Sequence, residues 1–140
     1  MDVAEYVCNL KEEIKLLREE LEDAAATIGN IDYLIPKQEN RSRYSSVEKA
    51  VLEREQLEEK LLEVQKKLII ALRIINEEES SIKAVEDGRV ITIARLCNKN
   101  DEEINATYLH LSRKRFKEAD KAFQEFFFYR LRELNANESF

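Results

Sequence analysis

An all-α fold is predicted by this sequence: a long antiparallel helical hairpin of coiled-coil type, followed by a small helical unit of helix-turn-helix form. Three observations point there. Two long stretches carry unbroken heptad spacing, the 140 residues include only two Gly and one Pro, and the chain is 37% charged and 44% hydrophobic. Scarce turn residues favour few, long elements, and this mixture of charge and apolar content is that of bundles and coiled coils rather than sheets. The expected domains are a hairpin over 1–78 and a helix-turn-helix-like domain over 79–140.

Val3, Val7, Leu10, Ile14, Leu17, Leu21, Ala24 and Ile28 are spaced 4-3-4-3-4-3-4, which predicts one extended amphipathic helix over 3–28. Gly29-Asn30 is read as its stop. Residues 30–44 hold Pro36 and the polar run KQENRSR and are read as a loop. Ser45-x-x-Glu48 has capping-box form, so a second helix is expected from about Ser46.

That helix carries Val47, Ala50, Arg54, Leu57, Leu61, Val64, Leu68, Ala71 and Ile75 at 3-4 spacing. Arg54 occupies a seam position, where it either sets register or turns its charged end outward. The apolar face widens over LIIALRII (Leu68–Ile75), so a third element or a second subunit is expected to cover it. Ser80-Ser81 is read as the cap of a third helix reaching about Leu96, with Gly88 as a point of interruption. Asp101 is expected to cap a short helix through Tyr108, His110 to occupy a turn, and Ser112 to cap a last helix to about Leu134.

The segment ATYLHLSRKRF, Ala106–Phe116, fits a helix-turn-helix corner. Such a corner needs a small residue in its first helix, apolar residues flanking a tight turn, and a capping residue opening the second helix. Ala106, Leu109, His110, Leu111, Ser112 and Phe116 fill those roles in order. Phe116, Ala119, Phe123 and Phe127 then form the inner face of the second helix. Arg113, Lys114, Lys117 and Lys121 share a broad outer face suited to a major groove and its phosphates. Ser112, Arg113, Lys114, Arg115, Lys117 and Lys121 are the expected DNA-binding residues.

At these positions the sequence resembles the sigma-factor region-four type of helix-turn-helix carried by small phage-encoded proteins behind a coiled coil, the ArpU/RinA-like transcriptional regulators and their prophage relatives. The resemblance covers the chain in outline and residues 89–123 at motif level. It implies a phage or prophage DNA-binding transcription regulator in the cytoplasm of a host bacterium, with double-stranded DNA as partner. Asn105 stands where the pattern has Ile, and His110 where the turn favours Gly.

Charge is compatible with selective binding. The chain carries −6 overall, but residues 112–140 hold seven Lys or Arg against five acids, leaving +2 there and −8 elsewhere. An acidic chain does not bind nucleic acid indiscriminately. A basic tripeptide after a helix cap is also ordinary solvated surface, so the alternative reading is a helical interaction protein, a packaging adaptor or host-factor binder, whose corner is only architectural.

No enzymatic chemistry is read. His110 is the only histidine and has no Cys or carboxylate at ligand spacing. The runs Glu77–Glu79 and Asp101–Glu103 are explained by helix dipoles. No phosphate loop or activated nucleophile is visible, so no metal, cofactor or catalytic residue is expected. Cys8 and Cys97 are expected to be reduced and buried. The opening residues MDVAEYVCNLKEE lack a signal-peptide pattern, and no stretch is apolar enough to span a bilayer. Phe126–Tyr129 is a run of four aromatics that one helix face cannot bury alone. Phe123 with Phe127 are expected in the core. Leu68, Leu72, Ile75, Phe126, Phe128 and Tyr129 are expected at a homodimer or partner interface, with the coiled coil also available to contact transcription machinery.

Overall fold

The computed structural model describes the backbone of residues 1–34 and 40–138 and the side chains of 1–26 and 47–136. All regular structure within them is helical: α1 (Val3–Leu34), α2 (Asn40–Asn76), α3 (Lys83–Leu96), α4 (Asp101–Ile104), a π-helical turn (Asn105–Leu109) and α5 (Arg113–Glu138). The all-α class and the helical hairpin are as the sequence predicts. Both hairpin helices run further than expected, however. Gly29-Asn30 lies within α1 and Ser45–Glu48 within α2, so neither marks a helix end. A single Gly costs a helix only about 1 kcal/mol, too little to end one that is already some seven turns long. Pro36 lies outside the described residues.

Two compact units form, one from Leu10–Lys66 and one from Met1–Asn9 with Lys67–Phe140. The second of these units joins the start of α1 to the end of α2 and all that follows. The cause is the second unit's core: Val3 and Val7 from the start of α1 cluster with Ile70, Ala71, Ile74 and Ile75 from the end of α2, and with Val85, Phe123, Phe127 and Leu131. The start of α1 meets the end of α2, so the two helices are antiparallel.

In the Leu10–Lys66 unit the heptad seam is visible in burial. Leu10, Ile14, Leu17 and Val64 are buried, while Leu21, Ala24, Leu57 and Leu61 are half-buried. Arg54 turns outward and pairs with Glu58 at 3.2 Å across one turn. It does not set register from within the seam.

The other unit explains the widened face of α2. Phe123 and Phe127, both 0% exposed, come from α5 and lie in the same cluster as Ile70, Ile74 and Ile75. Burying each phenyl ring contributes about 1.5–3 kcal/mol. A third element thus covers Ile70, Ile74 and Ile75 but leaves Ile69 58% exposed, and Ile75, at 1% exposure, is core rather than subunit interface. Tyr6 of α1 meets Phe127 and Phe128 edge-on, with centroids 5.8 and 6.0 Å away. Edge-to-face packing of this kind suits the ring quadrupoles.

Gly88 does not interrupt α3. A Cβ there would overlap the carbonyl oxygen of Ala119 and lie 2.5 Å from Cβ of Phe123, both in α5. The close helix approach is thus between α3 and α5 at Gly88, whereas Ala106, the small residue of the corner, is exposed. Arg89, the next residue, closes the end of α2. Its guanidinium donates to the carbonyls of Ile74 (2.6 Å), Ile75 and Glu78, and Nε donates to Glu86 at 2.7 Å. The last carbonyls of a helix have no internal partners, and a cation there also complements the dipole. The guanidinium lies over the rings of Phe123 and Phe126, 5.2 and 5.8 Å from their centroids.

Residue 82, not Ser80-Ser81, is the N-cap of α3; Ser80 Oγ accepts from the Ile82 N–H at 3.2 Å, one turn before the helix. Arg130 ties α5 to the segment after α2 through Glu78, at 2.6 and 2.8 Å, and also pairs with Glu133. Among the described residues no helix is long and apolar enough to cross a membrane.

Candidate nucleic-acid interface

The corner is built from the residues the sequence singles out, with one addition. Asn100, not Asp101, caps α4: its side chain accepts from the Glu103 N–H at 2.8 Å. The helix then widens into the π-helical turn and stops at His110, whose φ of 52° and ψ of 42° place it in the left-handed region. The His110 N–H reaches back to the Asn105 carbonyl at 2.7 Å. Asn105 also brackets the turn. Its Oδ1 accepts from the Leu111 N–H and its Nδ2 donates to the Leu111 carbonyl, both at 2.8 Å. An isoleucine at this position would make neither bond. Ser112 then caps α5, its Oγ accepting from the Arg115 N–H at 3.2 Å.

A small core holds these parts together. Ile91 and Ala94 of α3, Ile104 of α4 and Ala119 of α5 cluster, with Leu109, Leu111 and Phe116 packed at its edge. Thr92 is 1% exposed and its hydroxyl has no hydrogen-bond partner among the described residues.

Ser112, Arg113, Lys114, Arg115, Lys117 and Lys121 are all exposed. At about 100° per residue, Arg113, Lys117, Lys121 and Lys114 fall within one quadrant or so of α5. Arg115 lies on the opposite flank. Consistent with that division, Arg113 and Lys117 line an open groove of about 590 Å³ at the corner, whereas Arg115 lines a smaller one of about 200 Å³ with Lys83, Asp87 and Glu118. Lys121 approaches Glu125 at 3.9 Å with both side chains open to solvent, an arrangement that contributes little. Arg113, Lys114, Arg115 and Lys117 form no ion pair with the described residues.

The larger groove also contains acid. Asp101, Glu102 and Asp120 line it together with Arg95. Arg95, only 18% exposed, clamps two of the three: Nε and Nη2 donate to Asp101 at 2.9 and 3.1 Å, and Nη1 and Nη2 donate to Asp120 at 2.9 and 3.1 Å. Burial pulls the guanidinium pKa down, but hydrogen bonds to Asp101 and Asp120 more than offset this and hold it above its ordinary value. Gln124 Nε2 adds a bond to Asp120 at 3.2 Å. The sequence offers no signal for this clamp, because its three members stand on three elements at unrelated spacing.

The expected interface residues are divided. Tyr129 is 55% exposed, Leu68, Leu72, Phe126 and Phe128 are half-buried against the core, and Ile75 is buried within it. Cys8 and Cys97 are free thiols and both are exposed, contrary to the expected burial; their positions lie at a helix surface and just past the end of α3. Among the described residues no group of three or more His, Cys, Asp or Glu is placed to hold a metal ion. No family model, curated protein or solved structure matches this chain.

Proposed function

We propose that this chain is a double-stranded-DNA-binding regulator that reads its site with the first turns of α5. The observation that carries the reading is the set Arg113, Lys114, Arg115 and Lys117: four exposed cations that form no ion pair with the described residues, opening a helix that a capped, tightly bracketed turn sets off from α4. Lys114 and Lys117 suit phosphate contacts, which position a protein on the duplex, and the guanidinium forks of Arg113 and Arg115 suit guanine edges. The first backbone N–H groups of α5 add a further place for phosphate. Transcription regulation in a phage or prophage setting follows from the resemblance of residues 89–123 to region-four-type corners.

A second reading is a helical interaction protein. It is favoured by Leu52 and Leu62 on α2, each 54% exposed in the Leu10–Lys66 unit. Dimerisation, or contact with transcription machinery, would place such residues against a partner. The deciding experiment is a gel-shift over fragments of the chain's own genomic neighbourhood at two salt concentrations. Salt-sensitive, sequence-selective retardation supports the first reading, and its absence across the fragments favours the second.

A further inference from the structure

The groove beside Arg113 and Lys117 poses an electrostatic problem. A cation contributes to phosphate binding only if no closer carboxylate already holds it, and Asp101, Glu102 and Asp120 line the same groove. Asp120 stands three residues after Lys117 on α5, within ordinary reach for a helical ion pair. Yet Lys117 and Arg113 pair with none of the described residues, and Asp120 and Asp101 are both turned to Arg95.

From this we infer that Arg95 is a positioning residue for nucleic-acid binding: by occupying Asp101 and Asp120, it keeps Lys117 and Arg113 free for phosphate. The inference rests on the DNA-binding reading above. Arg95 suits the task because guanidinium is permanently charged and its fork satisfies two carboxylates at once, which an ammonium cannot do in the same geometry. At 18% exposure, with its donors committed to the two aspartates, it is poorly placed to meet phosphate itself. Gln124, a second donor to Asp120, supports the same orientation. Glu102 is the carboxylate of the groove that Arg95 does not hold, and Lys117 and Arg113 together outnumber it.

Removing Arg95 should release both aspartates onto Lys117 and Arg113. Each cation so captured is lost as a phosphate contact, and the slope of log affinity against log salt flattens by about 0.9 per contact. The test compares wild type, Arg95→Met and Arg95→Met/Asp101→Asn/Asp120→Asn on one duplex over a range of salt, with helix content checked by circular dichroism. Arg95→Met is expected to flatten the slope by about one to two units, and the triple variant to restore it. An unchanged slope in Arg95→Met overturns the inference. So does a triple variant that fails to recover, since Arg95 would then be contacting DNA itself. Where Arg95→Met does not fold, Arg95→Lys takes its place, with one aspartate released and about half the change expected. A readout without DNA separates this inference from the reading beneath it: the Lys117 side-chain nitrogen resonance should shift in Arg95→Met and return on adding Asp120→Asn. That shift alongside a wild type that binds no duplex would sink DNA binding and uphold the charge device; no shift overturns the device.

Discussion

Gly88 of α3 lies so close beneath Ala119 of α5 that an added methyl would overlap the Ala119 carbonyl oxygen. The atom in the way is backbone, which cannot rotate aside, and Phe123 blocks the other direction at 2.5 Å. Gly88→Ala should therefore push the two helices apart and lower stability by about 1–3 kcal/mol, although alanine is the better helix former. Denaturant unfolding followed by circular dichroism measures this. A variant as stable as wild type would show that the crossing is looser.

The turn at the corner depends on Asn105 and His110. Asn105→Ala removes both bonds to Leu111 and should cost about 1–3 kcal/mol. His110→Gly should act in the opposite direction. Its backbone sits at φ 52°, where a side chain costs about 1–2 kcal/mol that glycine does not incur, less the extra freedom glycine gives the unfolded chain. A raised melting temperature for His110→Gly and a lowered one for Asn105→Ala are expected. The reverse order contradicts the left-handed turn.

Thr92 offers a gain of stability. Its hydroxyl is buried without a partner among the described residues, and valine keeps the shape while removing the polar group. Thr92→Val should stabilise by about 1 kcal/mol. Destabilisation on thermal or urea unfolding would mean that the hydroxyl has a partner in solution.

Glu78 makes stability depend on acid pH. Its hydrogen bonds from Arg130 hold its carboxyl below the ordinary glutamate value of 4.5. Below that value the unfolded chain takes up a proton before the folded chain does. The contribution is therefore complete above 4.5 and is lost as pH falls through the depressed folded value. Glu78→Gln should narrow the difference between urea midpoints at neutral pH and near pH 3. Equal differences in variant and wild type would remove Glu78 from the acid response; Glu133, also lowered, by Tyr129 and then by Arg130, remains in both.

Much of the fold was legible in the sequence because heptad spacing states directly which side chains share a face. Val3, Val7, Leu10, Ile14 and Leu17 are buried as their period requires. Ser112 was legible for a similarly local reason, since a helix cap acts over three residues. Helix ends were less legible: Gly29 and Ser45 send real but weak local signals, and both lie inside helices. Least legible were contacts between elements. Gly88 reads as a helix breaker until Ala119 is known to lie against it, and Arg89 and Arg95 look like ordinary surface charge until the carbonyls of α2 and the aspartates of the corner are in place. Asn105 departs from the region-four pattern, yet it supplies the two bonds that close the turn.

The most direct test of the proposed DNA-reading surface is the salt dependence of duplex affinity for wild type and Arg113→Ala/Lys117→Ala. Both residues are exposed and form no ion pair with the described residues, so their removal should leave the unfolding transition in place. Loss of the lysine should flatten the slope of log affinity against log salt by about one unit. Loss of the arginine should weaken the specific site by about 1–3 kcal/mol if it reads a base, or flatten the slope by roughly one unit more if it meets phosphate. Specific affinity and salt slope both unchanged from wild type would contradict the assignment of α5 as the reading helix.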